Sequence, residues 1–150
     1  MAFVEEQLAA GPRRLGVTQP LEIGQDRIDR FAEATGDDQW IHVDGERAAN
    51  GPFGTTIAHG FLTLSLTASM VAEVWPVETA QMTVNYGLDR VRFPAPLPAG
   101  SSVIGFVDLL ESECHPRGVR SRVRVEVTAI GSDKPCCIAE LVVLHENGRF

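Results

Sequence analysis

The chain has 150 residues, 44% of them hydrophobic, which is enough to bury the core of one domain and leaves little length for a second. Thirteen basic residues against 20 acidic ones give a formal charge of −7. That balance argues against an unaided grip on nucleic acid or on an anionic membrane, because either needs clustered cations to displace counterions.

Met1 to Gln7 carries acids where a secretory signal would carry a basic segment, and no apolar run reaches membrane-spanning length, so a cytoplasmic protein is expected. Val4 to Ala9 reads as a short helical cap, broken by Gly11-Pro12-Arg13-Arg14 before an extended stretch from Leu15 to Ile23. From Gln25 onward Ile28, Phe31, Ala32 and Thr35 recur at helical spacing, and Gly36 is placed to end that helix in a left-handed conformation. Asp37 then opens an irregular loop anchored to a rigid element, the setting in which a catalytic side chain can be aimed.

Five positions after Asp37 stands His42. A carboxylate accepts protons and an imidazole exchanges them near working pH, so the pair can hold and activate one water molecule. Each residue also has an ordinary reading. An aspartate after a terminating glycine commonly bonds its own backbone, and a histidine among Trp40, Ile41 and Val43 is commonly structural.

A short helical or turn segment follows around Gly45 to Ala49. Gly51 to Gly54 lacks the Gly-Lys-Ser/Thr of a phosphate-binding loop and reads as a turn. Phe61 to Ala72 is apolar or small all the way round, which predicts a helix enclosed by other structure and too short to cross a bilayer. The second half is strand-like: Gln81 to Phe93, Ser102 to Leu110, and a strand in which Val119, Ser121, Val123, Val125, Val127 and Ala129 alternate with polar residues. A last strand runs from Cys136 to Leu144. Three cysteines without metal-like spacing fit a reducing compartment, with Cys136 and Cys137 as packing residues on opposite faces of that strand and Cys114 at a solvent-side turn. One buried helix followed by long antiparallel strands is an α+β arrangement.

Gly36-Asp37…His42, Ala58-His59-Gly60 and Val91-Arg92-Phe93-Pro94-Ala95-Pro96 together resemble the MaoC-like family of (R)-specific enoyl-CoA hydratases, over Ile23 to Leu144. Many members carry Asn-Pro where this chain has Gln39-Trp40, a variant similar to the branch that includes nodulation protein N. The resemblance implies a hot-dog fold over residues 1–150, an antiparallel sheet wrapped around the central helix, and a homodimer that binds acyl-CoA between its subunits. It implies no cofactor.

The implied reaction adds water across the double bond of a trans-2-enoyl-CoA to give an (R)-3-hydroxyacyl-CoA, with CoA or acyl-carrier protein bearing the acyl group. Asp37 and His42 are the candidate acid–base pair, His42 orienting the water and Asp37 accepting or relaying its proton. The Gly60 N–H, at the start of the central helix, is the candidate donor to the thioester oxygen. His59 and Gln39 are supporting candidates, able to orient the loop or touch the thioester. Asp37, His42, Asp44 and His59 match no familiar metal motif, and no metal is expected. Arg90, Arg92, Arg120, Arg122 and Arg124 include candidate phosphate contacts, though most read as a solvated sheet face. A thioesterase of the same fold and a non-catalytic acyl-thioester binding subunit are the competing readings.

Overall fold

Alternation along the valine-rich strand sets the architecture, because a period of two turns every second side chain to the same face. A computed structural model describes residues 8–9, 11–77 and 80–146. Its elements are β1 (Arg13–Val17), β2 (Leu21–Ile23), α1 (Gln25–Thr35), α2 (Trp40–Val43), α3 (Gly45–Ala49), α4 (Gly60–Val74), β3 (Met82–Arg92), β4 (Ser101–His115), β5 (Gly118–Ala129) and β6 (Pro135–Glu146). The expected cap at Val4 to Ala9 lies mostly outside the described residues.

The strands form one antiparallel sheet in the order β1-β4-β5-β6-β3, with β2 also paired to β4. β1 and β2 are two halves of one edge, interrupted at Thr18 to Pro20. Thr18 bridges the gap, its N–H donating to the Gly105 carbonyl at 3.0 Å and its hydroxyl accepting from the Gly105 N–H at 2.9 Å. Arg13 and Arg14, read from sequence as part of a break, instead pair with Leu109 and Asp108.

Val103 and Val107 of β4, Val123, Val125 and Val127 of β5, and Ala139, Leu141 and Val143 of β6 are buried together with Leu62, Met70 and Val71 of α4. This is the hot-dog arrangement, with the sheet curled over a central helix. At about 25 cal/mol per Å² of apolar surface removed from water, this layer dominates the stabilisation. Gly105 lets α4 lie close, since a Cβ there would stand 2.7 Å from Met70 Sδ.

Two expectations change. Cys136 and Cys137 are both buried, because the register shifts between Val127 and Thr128 and that irregularity breaks the strict alternation. The central helix is enclosed on one side only: Leu62, Thr63, Thr67, Met70 and Val71 are buried, whereas Phe61, Ser65, Ser69 and Ala72 are exposed. One chain's sheet covers one face of the helix and no more.

Candidate active site

The site assembles where three chain segments meet at the N-terminus of α4. α1 ends at Gly36, whose φ of 78° is open to glycine without penalty and whose N–H donates to the Ala32 carbonyl at 2.8 Å. The Thr35 hydroxyl donates to the Phe31 carbonyl and accepts from the Asp37 N–H at 3.3 Å, so the chain leaves the helix with Asp37 exposed on the following loop. α2 then supplies one helical turn, which lifts His42 out of the loop expected there and buries it.

His42 is held from both ends. Its carbonyl accepts from Gln25 Nε2 at 2.7 Å, and Gln25 in turn accepts from the Thr56 hydroxyl. Its ring Nδ1 lies 2.7 Å from the Ile57 carbonyl oxygen, while the Ile57 N–H returns to the Ile41 carbonyl at 3.0 Å. A carbonyl can only accept, so Nδ1 carries a hydrogen, and in the neutral ring the lone pair is on Nε2. The same reasoning applies to His59, whose Nε2 lies 2.8 Å from the Asp37 carbonyl oxygen. His59 Nε2 therefore donates, and its buried Nδ1 has no hydrogen-bond partner among the described residues.

The two imidazoles stack, with centroids 3.8 Å apart and planes 24° from parallel, and Phe31 packs against His59 at 5.0 Å with its ring tilted by 55°. A carboxylate oxygen of Asp37 and one ring nitrogen of each histidine lie within 4.8 Å of one another. Beside His42 opens a cleft of about 280 Å³, lined by Gly60, Thr63, Phe93, Leu97 and Cys136 among others. Burial, with the neighbouring Cys137 adding to it, pushes the Cys136 thiol up to about 11, so it lines the cleft as a neutral packing group. Gly60 is the first residue of α4. The amides of Leu62 and Thr63 already turn back to the His59 carbonyl, which leaves the Gly60 N–H ahead of the helical ladder at the positive end of the helix dipole. A Cβ on Gly60 would stand 3.0 Å from the Phe93 ring, so any larger residue requires that aromatic to give way by a few tenths of an ångström.

Of the residues singled out in the sequence, Asp37, His42 and His59 come together, and Gly60 shares the cleft with His42. Gln39 is exposed, its carbonyl accepting from the His42 N–H at 2.9 Å while its side chain makes no capping bond. Trp40 packs between Gly51 and the Arg47 guanidinium, which sits 4.4 Å from the ring centroid. Asp44 caps α3 by accepting from the Arg47 N–H at 2.9 Å, which sets it apart from a four-residue metal set. The remaining Asp37, His42 and His59 bring one oxygen or nitrogen each within 4.8 Å, with one nitrogen of each histidine already committed to a backbone carbonyl. Arg120, Arg122 and Arg124 are ion-paired to Glu113, Glu111 and Glu126, the solvated sheet face read from sequence. Gln25, Thr56 and the Ile57 carbonyl escaped the sequence reading. Nothing in the pattern marks them, since their roles depend on chain crossings that spacing does not encode.

The MaoC like domain model matches residues 9–130. The chain is 46% identical to 3-hydroxyacyl-thioester dehydratase Z of Mycobacterium tuberculosis over 143 residues, covering 95% of each chain. It is 44% identical to nodulation protein N of Rhizobium leguminosarum bv. viciae, covering 93% of this chain and 91% of that one. Among solved structures, the unliganded R-hydratase PhaJ1 from Pseudomonas aeruginosa superposes with a TM-score of 0.75 at 24% identity, covering 92% of this chain and 83% of that one, and so bears on the fold alone. The motif resemblance, the hot-dog fold and the family match agree: this chain belongs to the MaoC-like family and is a hydro-lyase of that family.

Proposed function

We propose that the chain interconverts trans-2-enoyl and (R)-3-hydroxyacyl thioesters of CoA, or of acyl-carrier protein, using Asp37 and His42 on a single water. The observation that carries this is the bond of His42 Nδ1 to the Ile57 carbonyl, which leaves Nε2 as the ring nitrogen open to a water, in a residue that lines an apolar cleft and has a ring nitrogen within 4.8 Å of the Asp37 carboxylate. One water hydrogen-bonded to both groups at about 2.8 Å spans roughly 4.5 Å, which the Asp37–His42 separation accommodates. In hydration, the water oxygen bonds to the β-carbon as its proton passes to the pair. The α-carbon takes a proton, and the charge that builds on the thioester oxygen meets the Gly60 N–H. Dehydration runs the same steps backwards.

The (R) outcome follows if water and proton are delivered from one fixed side of a substrate lying in the cleft. Two copies are proposed to join along β3, an edge strand that exposes Met82, Tyr86 and Leu88, and to cover the open side of α4. Three free cysteines suit a cytoplasmic setting.

The test is to mix the protein with short trans-2-enoyl-CoA, follow loss of the conjugated enoyl absorbance, titrate free thiol and resolve the product's stereochemistry. Loss of absorbance without thiol, giving the (R)-alcohol, is the expected result. Thiol release would replace this reading with a thioesterase, and binding without turnover would replace it with a carrier subunit.

A further inference from the structure

His59 touches each part of the site, and none of its contacts requires the substrate. Its Nε2–H reaches the backbone carbonyl of Asp37 at 2.8 Å, its ring lies against His42 at 3.8 Å, and its chain neighbour is Gly60. It is 1% exposed, packed against both His42 and Phe31, and is not among the residues that line the cleft. The loop carrying Asp37 is otherwise held weakly near that residue, by a 3.3 Å bond from its N–H to Thr35.

We infer that His59 is a positioning residue: one imidazole that ties the Asp37 loop, the His42 ring and the N-terminus of α4 at a fixed spacing. The inference rests on the Asp37/His42 reading above and adds how their separation is maintained. Donation to the Asp37 carbonyl sets the tautomer, with hydrogen on Nε2 and the lone pair on a buried Nδ1. The His59 Nε2–H is committed to the Asp37 carbonyl and Nδ1 is buried in a residue that does not line the cleft, so the ring acts by bonding and stacking and not by proton transfer. Misplacing a reacting group by about 1 Å can cost on the order of a hundredfold in rate, so a clamp of this kind is expected to show mainly in kcat.

Two substitutions separate its contacts. His59→Phe keeps an aromatic ring in the stack and cannot donate to Asp37. His59→Gln puts an amide N–H near the position of Nε2 and removes the ring. With an enoyl-CoA, His59→Phe is expected to lower kcat by roughly 10- to 100-fold with KM within about threefold of wild type, and His59→Gln to recover at least about threefold of the lost kcat. Unchanged kcat in a folded His59→Phe overturns the inference. So does an equal loss in both variants that tracks melting temperature, which would make His59 only a core residue. Nitrogen-15 NMR of the histidines in the wild-type protein gives a readout independent of turnover: the expected signature at neutral pH is His59 protonated on Nε2 alone, and the opposite tautomer or an imidazolium contradicts it. If wild type turns over no enoyl thioester, the proposed function fails, whereas the NMR result still decides whether the clamp exists.

Discussion

At the scale of single residues, one nitrogen of each histidine is committed to a backbone carbonyl, which in the proposed mechanism fixes what the other can do. Gly60 makes a similar point about space. Its missing Cβ lets Phe93 close over the start of α4, so Gly60→Ala must push that ring aside or move the helix. We expect Gly60→Ala to lower kcat/KM by at least about tenfold, and Phe93→Ala in the same chain to return part of the loss, since contacting residues are energetically coupled. Steady-state kinetics of the two single variants and the double variant measure this; strictly additive losses would contradict it. Asp37 and His42 were legible in the sequence because a helix stop, a loop and a fixed spacing all lie within one short stretch. Gln25 and Thr56 were not. Their bonds to the His42 carbonyl and to each other join residues 17 and 31 positions apart, and at the start of a helix Gln25 reads as an ordinary solvated residue.

At the scale of elements, strand alternation made β5 readable residue by residue, since Val119, Ser121, Val123, Val125 and Val127 are all buried. The same rule failed at Cys136 and Cys137, because a register irregularity carries no composition signal. It also left β4 too short, since Glu111 to His115 run past the core and look like a turn in sequence. Two glycines in these strands differ in a testable way. A Cβ on Gly118, where φ is 151°, would stand 2.0 Å from the backbone oxygen of His145, while one on Gly105 would meet the flexible end of Met70. Gly118→Ala should therefore cost at least about 2 kcal/mol and Gly105→Ala nearer 1 kcal/mol, because a thioether can swing aside and a paired strand cannot. Urea unfolding of both variants decides the order; a larger loss for Gly105→Ala would show that β6 yields more easily than α4.

At the scale of the whole molecule, burial pushes His145 of β6 down to about 4 from its usual 6.5. It lies against Trp75, with Nδ1 3.1 Å from the Thr83 hydroxyl. The unfolded chain takes up a proton on this histidine near pH 6.5, whereas the folded chain holds it neutral until about pH 4. Stability is therefore full above pH 6.5 and falls as pH drops towards 4, by up to about 3 kcal/mol. Urea unfolding at pH 7.5, 5.5 and 4.5 should show that loss in wild type and a shallower one in His145→Gln, and equal slopes would contradict the assignment. The exposed face of α4 and the two-sided exposure of β3 leave a single chain with apolar surface uncovered. For the proposed β3 dimer, Leu88→Asp is expected to shift the protein from dimer to monomer in sedimentation, and an unchanged mass would contradict that interface. No helix among the described residues is long and apolar enough to cross a membrane.

The central claim is that Asp37 and His42 activate one water between them, and single-turnover hydration of a short trans-2-enoyl-CoA by wild type, Asp37→Asn and His42→Ala tests it most directly. The account predicts that each variant still binds the thioester but loses at least about a hundredfold in the chemical step, and that the double variant loses little more than either alone, because the two groups act as a unit. Turnover within about tenfold of wild type in either single variant, with substrate binding intact, would contradict it.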